Sequence, residues 1–256
     1  MAGSPLEAAR GVWRLAAVVA VAGVVALAWP AAPARAQTEL APIVGPTGSA
    51  PPPPWVYAGL PAQKPPATRY AIATIDGARA LRIEADRSYG NLVHPLSGTA
   101  AGLLAWRWRV DRPLAAADLK TKDGDDAALK VCAMFDMPRE RVPFIERQLL
   151  GLAESRLGEP LPSATVCYVW EPSLPPDTLV PNAHSRRLRF ITLGGSPGAW
   201  SEQRRDLAQD FLRAFGDESA SVPPLRAIAV GADADNTGGS SLAWISRLQH
   251  GRKPVP

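Results

Sequence analysis

Two short acidic segments hold the side chains best suited to chemistry in this chain. Residues 123–126 read Asp-Gly-Asp-Asp before a predicted strand, and residues 233–238 read Asp-Ala-Asp-Asn-Thr-Gly between the last two predicted strands. The second segment places oxygen ligands at alternate positions and glycine at the sixth, like the first half of a calcium loop. Trp244 stands at the twelfth position, where an EF-hand needs a bidentate glutamate. An EF-hand is therefore excluded.

Two interpretations of these segments stay open. Asp233 and Asp235 can hold a hard cation such as Ca²⁺ if Asp125 and Asp126 complete the ligand set. Alternatively, the Asp and Asn side chains only cap backbone N–H groups, as is common in turns. Because adjacent strand ends in a sandwich bring distant loops together, we expect one shared site. A cation or an arginine such as Arg205 would then offset the repulsion between the carboxylates.

Paired carboxylates also permit catalysis. Asp126 and Asp235 would serve as the acid and the base of a glycoside hydrolase, provided that one of them lies in a cleft with a raised pKa. Residues 194–198, Gly-Gly-Ser-Pro-Gly, resemble the nucleophile elbow of another hydrolase class. Pro197 follows the serine there and has no N–H for an oxyanion hole, so this segment is predicted to be a loop between strands.

Tryptophan side chains suggest a sugar-binding surface, because a flat exposed indole can stack on the apolar face of a pyranose ring. Trp170, at a predicted strand end, and Trp200, in a glycine-rich loop, are the surface candidates. Trp106 and Trp108 alternate with arginines and are predicted to face the core.

Alternating apolar residues predict a chain of short strands. These cover residues 68–75, 78–85, 104–110, 129–135, 166–170, 188–193, 225–230 and 242–248, with a hairpin turn at Asp76-Gly77. Helical spacing predicts an inserted helix over residues 143–157, closed by Gly158, and a second helix from the N-cap Asp206 to Gly216. The pattern indicates an all-β, jelly-roll-like β-sandwich with one or two inserted helices.

The N-terminus resembles a secretory signal peptide. Arg10 and Arg14 precede an apolar run over residues 15–29, and Ala34-Arg35-Ala36 fits a signal peptidase site. This predicts a signal peptide over residues 1–36, a periplasmic or secreted protein, and membrane contact only through the signal peptide during export. Proline-rich residues 37–66 are predicted to form a linker, and residues 67–252 form the domain.

Charge and cysteine content narrow the function classes. The predicted signal peptide carries +2 of the formal net charge of +4, so the mature chain lacks the strong positive field that nucleic-acid binding requires.

Cys132 and Cys167 both lie in predicted strands. In an oxidising compartment they either form a disulfide or remain two buried thiols.

Several motifs in one order carry a family resemblance. They are Trp106-Arg107-Trp108-Arg109-Val110, Gly124-Asp125-Asp126, Tyr168-Val169-Trp170, Asn182, Trp200, Arg205-Asp206 with Asp210, Phe215-Gly216 and Asp233-Ala234-Asp235-Asn236-Thr237. From residue 68 to residue 250 the chain resembles the DUF3047 family of mostly exported bacterial proteins, for which no activity is established. The resemblance implies a β-sandwich akin to galactose-binding and carbohydrate-binding modules. The inserted helix and the two cysteines depart from the family pattern.

The sequence therefore favours a noncatalytic binding domain for a glycan or another cell-envelope component. The candidate ligand-binding residues are Asp125, Asp126, Trp170, Trp200, Arg205, Asp233, Asp235 and Asn236. A glycoside-hydrolase-like enzyme and a structural subunit of an envelope complex are the alternatives.

Overall fold

Two β-sheets packed face to face form the body of the protein. The structure is a computed structural model that describes residues 39–45, 50–60, 63–158 and 160–251. The strands are β1 (Val56–Ala58), β2 (Arg69–Ile75), β3 (Ala78–Asp86), β4 (Tyr89–Thr99), β5 (Leu103–Arg112), β6 (Ala127–Phe135), β7 (Ala164–Trp170), β8 (Leu179–Pro181), β9 (Leu188–Leu193), β10 (Ser201–Asp206), β11 (Leu225–Asp233) and β12 (Ser240–Gly251).

The sheets differ in size and in pairing. The seven-stranded sheet has the order β1-β4-β11-β6-β7-β9-β8, and the five-stranded sheet has the order β10-β5-β12-β3-β2. Strands β7 and β9 are parallel, whereas the other paired strands of both sheets are antiparallel. The helices are α1 (Phe144–Leu157), inserted between β6 and β7, and α2 (Leu207–Phe215). This architecture confirms the predicted β-sandwich with inserted helices.

The core lies between the sheets, as the alternation in β5 predicts. Trp106 and Trp108 are buried there, and the ring of Trp106 lies 5.3 Å from the ring of Tyr168 on the opposite sheet. Strands β6 and β7 are buried along their whole length, on both faces of the sheet. This explains why their sequences are nearly continuous apolar runs. Any charged side chain on these strands must find a partner inside the protein.

Local signals in the sequence set the turns and helix ends. Asp76 and Gly77 have φ of 50° and 74° and join Ile75 to Ala78, as a tight hairpin requires. The side chain of Asp206 accepts hydrogen bonds from the N–H groups of Ala208 and Gln209 and so caps α2. Helix α1 ends at Gly158 in the left-handed conformation, with φ of 74°.

Four strands lie outside the sequence-based prediction. Strand β4 contains Gly90, Pro95 and Gly98 and lacks regular alternation, yet it pairs with β11. Strand β10 is polar and lies between the predicted loop and the predicted second helix, ending at the N-cap Asp206. Strands β1 and β8 have three residues each. Tertiary pairing overrides weak local preference in these segments.

The proline-rich stretch packs against the sandwich in its described part. Leu40, Ile43 and Trp55 are buried in the main core, and β1 pairs with β4. The N–H of Ala41 donates to His94 Nε2 at 2.9 Å, which holds the segment against the large sheet. The described residues of the predicted linker are therefore docked on the sandwich.

The predicted signal peptide, residues 1–36, lies outside the described residues. Among the residues that are described, none of the helices has the length and apolar character needed to cross a membrane.

Candidate functional site

A buried ion pair lies at the end of the sandwich where β6 begins and β11 ends. Lys130 Nζ is 2.5 Å from Asp233 Oδ2, and both side chains are only 8% exposed. The N–H of Ala127 donates to Asp233 Oδ1 at 2.9 Å, and the ammonium group lies over the ring of Tyr89, 5.4 Å from its centre. Burial alone would lower the pKa of Lys130, but the Asp233 carboxylate raises it above its usual value. The lysine is therefore charged.

The two acidic segments meet beside this ion pair. Asp126 Oδ1 accepts a hydrogen bond from the N–H of Asn236 at 3.2 Å. Its Oδ2 accepts from the N–H and the hydroxyl of Thr237 at 2.7 and 2.6 Å. Asn236 Nδ2 donates to the carbonyl oxygen of Asp125 at 2.9 Å. The structure thus brings residues 123–126 and 233–238 together. This is the proximity that the sequence predicted from adjacent strand ends.

Asp125 forms the rim of this site with residues from the loop after β8. Asn182 Nδ2 donates to Asp125 Oδ2 at 2.5 Å, and His184 Nε2 lies 3.7 Å from the same oxygen. The Oδ1 atom of Asn182 accepts from the N–H groups of His184 and Ser185, which fixes the loop. Burial, together with the nearby carboxylate of Asp233, raises the pKa of Asp125 to about 6.

Asp235 completes the acidic cluster and has an open hydrogen-bonding position. The carboxylates of Asp126, Asp233 and Asp235 each place an oxygen within 4.8 Å of the others, a spacing that fits one hard cation. Asp235 Oδ1 is buried and has no hydrogen-bond partner among the described residues. Burial, then the carboxylates of Asp233 and Asp126, raise the pKa of Asp235 to about 6. A donor or a cation from outside would satisfy this oxygen.

Asp126 does not suit the acid–base pair that the sequence suggests. It is 1% exposed, and both of its oxygens accept hydrogen bonds from the segment that contains Asn236 and Thr237. Its geometry makes it a structural residue that holds the two segments together. The predicted Asp126 and Asp235 pair therefore lacks a free partner for Asp235, because both oxygens of Asp126 accept hydrogen bonds within the protein.

Arg205 contacts a different set of carboxylates from the one expected. Its guanidinium donates to both oxygens of Asp210, at 2.9 and 2.8 Å, and to Asp177 at 2.6 Å. It lies over the ring of Tyr168, whose hydroxyl donates to Asp210 at 2.7 Å. The prediction that Arg205 offsets the acidic segments is wrong, because Lys130 has that role.

The two tryptophan candidates lie in different environments. Trp170 is 3% exposed, and its indole lies so close to Gly195 that a Cβ there would be 2.4 Å from Nε1. The expected surface position of Trp170 is therefore wrong. Trp200 is half-buried; its Nε1 donates to Asp76 Oδ2 at 2.9 Å, and the guanidinium of Arg107 lies 4.6 Å from its ring centre.

The two cysteines form a disulfide. Cys132 on β6 is directly opposite Cys167 on β7, with a Cα separation of 4.0 Å. The disulfide and Lys130 both line a cavity of about 50 Å³ beneath Leu150 of α1. The sequence leaves open whether the two cysteines form a disulfide or remain buried thiols, and in the structure they form the disulfide.

Sequence reasoning missed the central residues of this site. Lys130 is the lone charged residue in the apolar strand Ala-Ala-Leu-Lys-Val-Cys-Ala-Met-Phe, and that signal could have identified a buried cation. Asn182 appears in the family motif, but neither it nor His184 has a local pattern that points to Asp125.

Comparison with known proteins settles the family. The sequence matches the family described as protein of unknown function (DUF3047) over residues 53–249. The chain belongs to this family. Among solved structures, it is similar to a mutant of CBM29-2, a family 29 carbohydrate binding module, with a TM-score of 0.33 and 12% sequence identity. That similarity covers 84% of this chain and 98% of the module, and it is too weak to carry an argument about function. No curated protein matches this DUF3047 chain.

Proposed function

We propose that this domain is a noncatalytic binding module for a hydroxyl-rich ligand, a glycan of the cell envelope, at the acidic end of the sandwich. The observation that carries the proposal is the buried Asp235 Oδ1, which has no hydrogen-bond partner among the described residues. Leaving a buried acceptor unsatisfied costs about 1–3 kcal/mol. A ligand hydroxyl that donates to this oxygen removes the cost, which favours the bound state.

The neighbouring side chains support a polyol ligand. Asp125, Asn182 and His184 lie beside the same cluster, with Asn182 Nδ2 donating to Asp125 Oδ2 and His184 Nε2 3.7 Å from that oxygen. Hydrogen bonds to the backbone fix the Asn182 loop before any ligand arrives. A site that is fixed in advance loses less conformational entropy on binding.

One observation favours a hydrolase as the second candidate. Asp125 and Asp235 both have a pKa raised to about 6, and a general acid near neutral pH needs such a pKa. The Lys130–Asp233 ion pair interacts with both of them. Glycan release by the protein would distinguish this function from binding alone.

The test is binding of the purified protein to peptidoglycan sacculi by co-sedimentation and to a panel of soluble polysaccharides by affinity electrophoresis. Asp235→Ala removes the unsatisfied acceptor, and we expect it to weaken binding at least about tenfold. Asp136→Ala is the matched control, because Asp136 is 67% exposed and follows the opposite end of β6. It should bind like the unaltered protein.

Three outcomes would contradict the proposal. The first is no binding to any member of the panel, and the second is equal binding by the Asp235→Ala variant. The third is release of reducing ends that stops in Asp125→Asn, which would establish the hydrolase instead. Repeating the assay with chelator and with added Ca²⁺ separates a hydroxyl ligand from a cation-dependent one, since binding that needs calcium would assign Asp235 to a metal.

A further inference from the structure

The cavity beneath α1 has mostly apolar walls. The Cys132–Cys167 disulfide and Met134 line it on the outer face of the large sheet, and Leu150 and Leu161 line it as well. Its volume is about 50 Å³, which is room for about four groups of the size of a water molecule at roughly 10–15 Å³ each. Water is a poor occupant of apolar walls, because each water molecule needs about two to four polar partners.

One buried donor in the cavity wall lacks an acceptor. Arg187 lines the cavity and is 5% exposed, and its Nε has no hydrogen-bond partner among the described residues. Glu146 Oε2 lies 3.7 Å from this Nε, which is too far for a hydrogen bond. A bound acceptor satisfies the N–H and removes the cost of leaving it buried and unpaired.

The charges around Arg187 favour a neutral acceptor. Arg187 donates to both oxygens of Glu218, at 2.6 and 2.7 Å. Arg189 donates to Glu218 at 2.7 Å and to Asp217 at 3.2 Å. Together with Glu146, three carboxylates therefore already face these two arginines. A bound carboxylate would add a fourth negative charge, whereas a carbonyl oxygen accepts the hydrogen bond without a charge.

The cavity adjoins the acidic end of the sandwich. Lys130 lines the cavity and contacts Asp233, and an oxygen of Asp233 lies within 4.8 Å of an oxygen of Asp235. Ser185 also lines the cavity, and its N–H donates to Asn182 in the loop after β8. A ligand with a hydroxyl at Asp235 therefore has this cavity beside it.

We propose that the cavity binds the acetyl group of an acetylated sugar. The inference rests on the proposed glycan binding and names the substituent that the same site selects. An acetyl group and its linking nitrogen or oxygen have four non-hydrogen atoms, which matches the volume of about 50 Å³. The methyl group packs against the apolar walls, and the carbonyl oxygen accepts from Arg187 Nε. A hydroxyl of the same glycan donates to Asp235 Oδ1.

The test compares affinities within pairs of glycans that differ in acetylation. Chitohexaose and cellohexaose share a β-1,4 backbone and differ by an acetamido group or a hydroxyl at each C2. Acetylated xylan and the same xylan after alkaline removal of its esters form the O-linked pair. Calorimetry for the oligosaccharides and affinity electrophoresis for the xylans should show at least about tenfold tighter binding of the acetylated member in at least one pair.

Two variants test the cavity itself. Leu150→Phe fills part of the cavity, and Arg187→Lys keeps a positive charge toward Glu218 but removes Nε. Each should bring the ratio of the two affinities close to one. Leu149→Phe and Arg186→Lys are the matched controls, because they alter the exposed neighbours of the two residues. Both controls should keep the ratio of the unaltered protein, and circular dichroism checks that all four variants are folded.

The outcomes separate this inference from the proposed function. Equal affinity within both pairs would overturn the inference and leave glycan binding in place, as would binding of other polysaccharides but of neither pair. A ratio retained by both folded variants, Leu150→Phe and Arg187→Lys, would also overturn it, because the acetyl group would then bind elsewhere. No binding to any glycan would overturn the inference and the proposed function together.

Discussion

Lys130 Nζ and Asp233 Oδ2 are 2.5 Å apart in a position that water barely reaches. Within this pair Lys130 is the cation beside the surrounding carboxylates. Burial and the Asp233 carboxylate raise the pKa values of Asp125 and Asp235, and the ammonium group of Lys130 acts in the opposite direction. The acidic end of the sandwich is therefore organised around a lysine of the protein itself.

Replacing this lysine should destabilise the protein strongly. Lys130→Met keeps the length of the side chain but leaves Asp233 buried without its cation, and we expect a loss of about 3–5 kcal/mol in the free energy of unfolding. Unfolding in urea measures this loss in the free energy of unfolding. Adding Asp233→Asn should recover part of the loss, because the uncompensated charge is then gone.

The exposed Lys120 supplies the control for this substitution. Lys120→Met should change the free energy of unfolding by no more than about 0.5 kcal/mol, as expected for a surface residue. A loss in Lys130→Met as small as that of the control would show that the pair contributes little to stability.

Asp235→Asn should raise the melting temperature at pH 7.5. The pKa of Asp235 in the folded protein is about 6, above the value of about 3.9 for an unfolded chain. The stability that comes from its protonated form is fully present below pH 3.9 and is lost as pH rises through 6. Asparagine carries no charge at either pH. The rise in melting temperature of Asp235→Asn over the unaltered protein should therefore be large at pH 7.5 and small at pH 4.5.

Melting curves followed by circular dichroism at the two pH values measure this difference. Asp136→Asn, at an exposed carboxylate, should show no comparable dependence on pH. The same gain for Asp235→Asn at both pH values would mean that Asp235 does not titrate near 6.

The Cys132–Cys167 disulfide should be complete and stabilising. Thiol titration of the denatured, unreduced protein should find no free sulfhydryl, since the two cysteines are bonded in the structure. The bond closes a loop with a sequence separation of 35, for which chain entropy contributes up to about 4 kcal/mol. The Cys132→Ala, Cys167→Ala variant should lose stability in urea, and reductant should then have no further effect. Two free thiols in the unaltered protein would refute the bond.

Export should remove the N-terminal residues. The basic start, the apolar run and Ala34-Arg35-Ala36 predict that the protein from a periplasmic extract begins within a few residues of Gln37. Intact-mass spectrometry reads this directly. Recovery of the full-length chain in the membrane fraction would instead indicate a retained N-terminal anchor.

Periodicity and local caps determined most of the fold from the sequence alone. Alternation in β5 placed Trp106 and Trp108 in the core, and Asp206, Gly158 and Asp76-Gly77 marked helix ends and a hairpin. These signals are local, because they depend on the backbone geometry of a few consecutive residues. Strand β4, with Gly90 and Pro95, had no such signal and is ordered by its neighbours.

Only the tertiary structure decided which charged groups meet. The sequence predicted that residues 123–126 and 233–238 share a site, but it assigned Arg205 where the structure has Lys130. It also placed Trp170 at the surface, whereas its position on β7 and the nearby Gly195 bury it. Alternation tells which residues share a face, but not which face is covered or which strand lies beside it. Those two facts depend on strand order and on loops far away in sequence, and they determine the partner of every buried charge.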